Sequence, residues 1–229
     1  MITNYSLGSV SDLTLGGVIS TATHGTGIRH RVISAYVLEM EIITSSGDLI
    51  KCSKDEKQDI YYSTLCGLGC IGIIVNAVIQ CEPAFLLYQR SNPSTLDLVL
   101  DDLDEHLNHS EHFRFLWFPH TDHVSLSHAS RVYDVQVGTN SVIGTVIQSA
   151  ISWFWNYGVG YYGLEVAYFA STYLPLLTPW INRFWFTLMY SKPMEIIDTG
   201  YKVFNFECLF KQYVNEWSIP RYDFRLLIN

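Results

Sequence analysis

Residues Leu15 to Ile28 read LGGVISTATHGTGI, and no other stretch constrains the fold as strongly. Gly16, Gly17, Gly25 and Gly27 bracket Ser20, Thr21, Ala22 and Thr23, and His24 is the one large polar side chain inside the run. So much Gly, Ser and Thr lets backbone N–H groups approach a bulky anionic or planar ligand. The hydroxyls can donate to phosphate or carbonyl oxygens. The segment therefore reads as a wall built against a cofactor. It is not a P-loop, because no Gly-Lys-Ser/Thr follows, and GxG at Gly25 and Gly27 lacks the third glycine of a dinucleotide fingerprint.

The rest of the composition supports a well-packed protein. The chain is 48% hydrophobic and 14% aromatic over 229 residues, enough for one large domain or two modest ones. Formal net charge is -8, and no Lys/Arg cluster offers phosphate neutralisation, which argues against a nucleic-acid partner. The cysteines are Cys52, Cys66, Cys70, Cys81 and Cys208. An odd count without CxxC predicts free thiols. Cys66 and Cys70 lie in an apolar Gly-rich run and are expected to pack in the core. Met1 to Val10 lacks the apolar centre of a secretory signal. A cofactor loop so near the start leads us to expect more protein upstream.

Tyr36 to Thr44 alternates apolar and polar residues and predicts a strand. Ser45 to Asp48 is a turn, and Leu49 to Cys52 returns as a second strand. Asp55 to Leu65 carries Ile60, Tyr61 and Leu65 at helical spacing. Gly67, Gly69 and Gly72 then precede β-branched Ile73 to Ile79, read as a buried strand that Pro83 closes. Ser94 to Leu107 predicts an amphipathic helix with Ser94 as N-cap. Phe113 to Phe118, Val124 to His128 and Lys202 to Val214 predict strands, the last ended by Pro220, with a structural duty for Trp217 to Arg221. The order suggests an α+β unit over residues 1–85, then a second over 86–229 with an antiparallel sheet.

Between Ile143 and Tyr190 the chain is strongly apolar and rich in Trp and Tyr. Pro175 and Pro179 interrupt it, and the uncharged run between Glu165 and Arg183 falls short of a spanning length. Three readings stay open: a buried helical insert, an interfacial membrane contact, and a true span. His106, His109 and His112 recur every third residue, and His120, His123 and His128 surround a Pro turn. With no Cys or carboxylate pattern to complete a site, they are expected to be solvated, and no metal is expected. His24 reads as a structural hydrogen-bonder or, alternatively, a proton shuttle.

Two segments together carry a resemblance. LGGVISTATHGTG, followed by GLGCIGIIVNAVIQCEP from Gly67, resembles the FAD-binding domain of the vanillyl-alcohol-oxidase (VAO/PCMH) superfamily. FRFLWFPHTDHVS (Phe113 to Ser125), YLPLLTPWINRFWF (Tyr173 to Phe186) and FECLFKQYVNEWSIPR (Phe206 to Arg221) resemble the aldonolactone oxidases within it, the L-gulonolactone and D-arabinono-1,4-lactone oxidase family. The resemblance implies the C-terminal part of an FAD domain over 1–85 and an incomplete α+β substrate domain over 86–229. It implies hydride transfer from an aldono-1,4-lactone to FAD, reoxidation by O2 with release of H2O2, and an ascorbate-type product. It implies that Gly16, Gly17, Ser20, Thr21, Thr23, His24 and Gly25 line the flavin, with backbone contacts from Gly72, Ile73 and Ile74. It also implies an endoplasmic-reticulum (microsomal) membrane address, or alternatively a mitochondrial membrane.

By the same resemblance, the loop that carries a covalently attached flavin is expected before residue 1, so covalent linkage is not transferred to His24. The Glu-x-Arg pair that binds the lactone is expected beyond Arg221, and with it the catalytic residues. The parent protein is thus expected to be an oxidase of which this chain is an internal fragment. The alternatives are a truncated non-catalytic remnant and a membrane-associated interaction module.

Overall fold

Strands β2 (Val37–Ile43) and β3 (Leu49–Ser53) form a hairpin around the Ser45–Asp48 turn, as their alternation predicts. A computed structural model describes residues 2–3, 13–133, 154–205 and 214–220. Strand β4 (Ile73–Ile79) joins the other side of β2, giving the order β3-β2-β4. Val37, Met40 and Ile42 of β2, Cys52 of β3, Ile19 of helix α1 (Leu15–Ser20) and Tyr61 of α2 (Gln58–Thr64) make a closed core. The Tyr61 hydroxyl donates to the Val37 carbonyl at 2.6 Å, so the ring enters the core with its polar atom satisfied. The β4 strand is not buried as its β-branched run suggests. Among the described residues it is an edge strand, and Ile73 (70%), Val75 and Val78 are exposed. Cys66 and Cys70 are likewise exposed, because the glycine turn lies outside the core; among the described residues Cys52 is the buried thiol.

A second sheet has the order β7-β8-β6-β9, built from β6 (Leu86–Thr95), β7 (His112–Trp117), β8 (His123–Val132) and β9 (Met194–Thr199). A short ribbon pairs β1 (Ile2–Thr3) with β5 (Glu82–Pro83). All strand pairs among the described residues are antiparallel, and the fold is mixed α/β. Pro93 is tolerated in β6 because β9 pairs only as far as Ser91, leaving β6 one neighbour there.

Three sequence expectations change here. Ser94 is not a helix cap: its pairing with Val124 keeps it in β6. The helix begins at Leu96 and breaks at Asp102 into α3 (Leu96–Asp101) and α4 (Leu103–His109). Lys202 to Phe204 is not strand but helix α7 (Gly200–Phe204). Adjacent Val203 and Phe204 both pack onto Leu87 and Ala129, which strand alternation forbids. Residues 206–213 of that predicted strand lie outside the described residues. Its last residue, Val214, and the segment on to Pro220 have no regular structure, and Trp217 is exposed.

The apolar stretch is helical where described: wide turns over Phe154–Gly163, then α5 (Leu164–Tyr173) and α6 (Thr178–Met189). Phe186 packs against Phe118 and His123, and buried Asn182 donates to the Pro119 carbonyl at 2.8 Å. Over its described residues, 154–190, the stretch is not a buried insert. Phe169, Tyr173, Leu176 (88%), Trp180 and Phe184 project into solvent. An apolar groove of about 330 Å3 lies between α5 and α6, lined in part by Ala167, Trp180 and Trp185. Among the described residues no helix is long and apolar enough to cross a membrane.

Candidate functional site

The glycine-rich segment divides into two parts with different work. Its first part is not a loop but α1, capped by Thr14, whose hydroxyl accepts from Gly17 N at 3.2 Å. Helical spacing sends Val18 and Ile19 inward and leaves Gly16, Gly17, Ser20 and Thr21 on the outer face. A methyl group built on Gly16 would meet nothing within 4 Å. The face is therefore bare backbone beside the helix start, a surface on which a planar ring could lie.

The hydroxyls are less available than composition suggests. Thr21 Oγ1 donates to the Gly17 carbonyl at 2.8 Å. Its proton being spent, the 3.1 Å contact with Thr23 Oγ1 requires Thr23 to donate. Both protons are committed inside the segment, and only lone pairs face outward.

The second glycine segment docks on the end of α1. Cys66 N donates to the Ile19 carbonyl at 3.0 Å and Leu68 N to the Ser20 carbonyl at 3.1 Å. A Cβ at Gly72 would lie 2.3 Å from the Ile43 carbonyl oxygen, so only glycine lets this turn enter β4 against β2. Ile74 packs onto the first core, whereas Ile73 points outward. The two segments that carry the resemblance are thus neighbours through Ile19, Ser20, Cys66 and Leu68.

His24 stands apart on an exposed turn. Nδ1 contacts the Gly25 carbonyl at 2.9 Å and Nε2 contacts Glu216 Oε1 at 2.5 Å. Both partners are acceptors, so the ring is held with both nitrogens protonated. Its pKa is raised by the Gly25 carbonyl first and Glu216 second.

The second part of the segment, Thr26 to His30, faces β7. His112 is buried, and its Nδ1 donates to the Thr26 carbonyl at 2.7 Å. Gly27 has φ +109°, and a Cβ there would fall 2.6 Å from the Glu111 carbonyl oxygen. The His30 ring stacks on His112 at 4.9 Å, and its Nε2 lies 3.1 Å from Glu111 Oε1. Arg131 forms a two-pronged pair with Glu82 at 2.6 and 2.9 Å and approaches Glu111 at 2.8 Å. Burial lowers the His112 pKa and keeps the ring neutral.

His112 is therefore not the solvated residue its spacing suggests, because it begins β7 and points under the loop. The other histidines part company with it. His128 packs against His106, His109 and Phe113. Burial, then His106 and His109, push its pKa down to about 4. Ser110 Oγ donates to the His112 carbonyl and accepts from His128 Nδ1, both at 2.8 Å. Sequence reasoning missed His30, Glu111, Arg131 and Glu82. Each is an isolated charged or polar residue in sequence, and only the packing of the loop on β7 and β8 collects them.

Comparison with known proteins places these features among relatives. Residues 77–229 match the family model described as D-arabinono-1,4-lactone oxidase. The chain is 45% identical over 215 residues to an L-gulonolactone oxidase of Scyliorhinus torazame, covering 94% of this chain and 46% of that protein. It is 44% identical over 216 residues to the L-gulonolactone oxidase of Mus musculus, covering 94% and 47%. A D-arabinono-1,4-lactone oxidase of Saccharomyces cerevisiae is 31% identical over 224 residues, covering 94% and 40%. The chain thus spans just under half the length of these relatives. A solved structure of a solvent-stable cholesterol oxidase superposes with a TM-score of 0.50 at 22% identity, covering 59% of this chain and 29% of that one. That likeness concerns the fold alone.

Proposed function

The chain belongs to the D-arabinono-1,4-lactone oxidase family, and on that premise we propose that it is part of an FAD-dependent aldonolactone oxidase. The observation that carries the reading is the similarity to L-gulonolactone oxidases over 94% of the chain. The substrate is an aldono-1,4-lactone, the acceptor is O2, and the product is of the ascorbate type with H2O2. Residues 1–85 belong to a VAO/PCMH-type FAD domain and residues 86–229 to the substrate domain.

The fit of a flavin rests on the bare face of α1. Gly16 and Gly17 present backbone without side chains, and open space lies beyond Gly16. Ser20, Thr21 and Thr23 would border the ring system. Gly25 and His24 flank it, and His24 orients the turn through Glu216. Gly72, Ile73 and Ile74 contribute backbone from the adjoining turn. When bound, FAD supplies the hydride acceptor and the route for electrons to O2. This chain's residues bind and orient it, and helix-start amides favour a negatively charged group nearby. No catalytic group is assigned among the described residues.

Membrane association forms part of the proposal, with the endoplasmic reticulum as its address. Its support is the exposed aromatic face of α5 and α6, whose Trp and Tyr content suits a headgroup boundary.

Titration of the chain with FAD, followed by quenching of flavin fluorescence, tests the reading. Saturable binding is expected, together with H2O2 formation from L-gulono- or D-arabinono-1,4-lactone by the protein in its full-length context. Gly16→Ala relieves the helix of a glycine and is expected to stabilise the fold by about 0.5–1 kcal/mol. Gly16→Leu fills the open face and is expected to lower FAD affinity by about tenfold or more without unfolding the chain. Absence of both flavin binding and lactone-dependent H2O2 would leave a non-catalytic remnant.

A further inference from the structure

We infer that His30, Glu111 and His112 form a binding site for a divalent transition ion of the zinc class, clasping the Thr26–His30 loop to β7. This site is separate from the flavin face and goes beyond the oxidase reading. The donor atoms of the three residues all lie within 4.8 Å of one another. His30 Nε2 is 3.1 Å and His112 Nε2 3.8 Å from Glu111 Oε1. Ligands of a tetrahedral zinc ion at about 2.0–2.1 Å stand about 3.3 Å apart, so these separations bracket the required edge.

The decisive atom is His112 Nε2. It is buried, it has no hydrogen-bond partner, and its side chain is 1% exposed. A buried imidazole nitrogen without a partner costs free energy unless something binds it. Nδ1–H is already fixed on the Thr26 carbonyl, so the lone pair sits on Nε2 and faces the cluster. A metal-bound histidine is typically held in this way by its second nitrogen.

Charge points the same way. Two carboxylates, Glu82 and Glu111, share one guanidinium, Arg131, which leaves one surplus negative charge beside two imidazoles. Arg131 Nε lies 2.8 Å from Glu111 Oε1 but makes no aligned hydrogen bond to it. That oxygen therefore retains a lone pair for an ion. On binding, His30 Nε2 gives up its proton to water and turns its lone pair to the ion. The stacked rings, now 10° from parallel, tilt toward the common point. A fourth position opens to solvent beside Glu111, the most exposed of the three.

The test uses the whole chain, stripped with chelator, its exposed thiols alkylated, then titrated with Zn2+ and with Co2+. One equivalent of Zn2+ is expected to bind and to raise the melting temperature. Co2+ is expected to give the intense visible bands of low-symmetry four-coordination. His30→Gln and His112→Gln are each expected to weaken Zn2+ binding by more than about tenfold. If His112→Gln fails to fold, His30→Gln, at the less buried of the two histidines, still decides. Retention of Zn2+ by His30→Gln, or no Zn2+ binding by the folded parent chain, overturns the proposal.

Discussion

The carbonyl of Thr26 accepts a hydrogen bond from Nδ1 of His112 at 2.7 Å, joining residues 86 positions apart. This contact thereby ties the glycine-rich segment to β7 of the second sheet. It exists because Gly27 lets the backbone pass where any side chain would strike Glu111. Gly27→Ala adds a Cβ 2.6 Å from a backbone oxygen at a φ of +109°, which neither partner can relieve by rotating a side chain. The expected loss is about 2–4 kcal/mol. Urea unfolding of the variant checks it, and an unchanged midpoint would count against this packing.

His24 and Glu216 give a pH signature. The folded pKa of His24 lies above its ordinary value, first through the Gly25 carbonyl and then through Glu216. A raised folded pKa means that the contribution is complete below the unfolded pKa near 6.5 and disappears as pH rises through the folded value. The ring is more than half exposed, so the contribution to stability is small. NMR titration is expected to find His24 above about 6.5, its ordinary value. Glu216→Gln is expected to bring it down while leaving the other histidines in place. An unmoved His24 would detach Glu216 from the turn.

Much of the first unit is legible in sequence because its signals are local. Alternation from Tyr36, the Ser45–Asp48 turn and the spacing of Ile60, Tyr61 and Leu65 each specify an element without help from distant residues. Long-range pairing decides what sequence misplaces. Ser94 reads as a cap until β8 pairs with it, and β9 has no local signal beyond its pairing with β6. The glycines mark the candidate flavin face, but composition cannot show that Leu15–Ser20 is helical or that the Thr21 proton is spent on the Gly17 carbonyl and the Thr23 proton on Thr21. His106, His109 and His112 repeat at a single period, yet His112 is buried under a loop, while His128 is wedged among rings, because the pairing of β7 with β8 puts His112 and His128 on opposite faces.

His128 predicts sensitivity to acid. Its pKa falls from 6.5 to about 4, first by burial and then by His106 and His109. The unfolded chain therefore binds a proton between about 6.5 and 4 that the folded chain refuses, so stability falls as pH drops through that window. Because the ring is only partly buried, the loss is of the order of 1 kcal/mol after solvent screening. His128→Gln keeps a hydrogen-bonding side chain and removes the titration. Relative to the variant, the parent is expected to hold a constant offset in stability above about pH 6.5 and to lose stability progressively toward pH 4, and a pH-independent offset would dismiss His128 as the acid-sensitive group.

The aromatic face of α5 and α6 makes the last prediction. Phe169, Tyr173, Leu176 and Trp180 expose large apolar surfaces that neighbouring described residues do not cover. Burying one such side chain is worth about 1.5–3 kcal/mol, so a few of them suffice for measurable partitioning into a bilayer surface. Arg183 lies 6.0 Å from the Trp180 ring, and Lys192 follows closely in sequence, which places positive charge beside the aromatic patch. The chain is expected to sediment with phosphatidylcholine vesicles containing anionic lipid. Phe169→Ser with Trp180→Ser is expected to release about tenfold or more, since each substitution removes an exposed side chain and costs the fold little. The patch does not need to cross the bilayer: Asn182 and Phe186, on the opposite side of α6, remain packed against Pro119, Phe118 and His123. A double variant that binds vesicles as well as the parent would remove the support that this face lends to a membrane address.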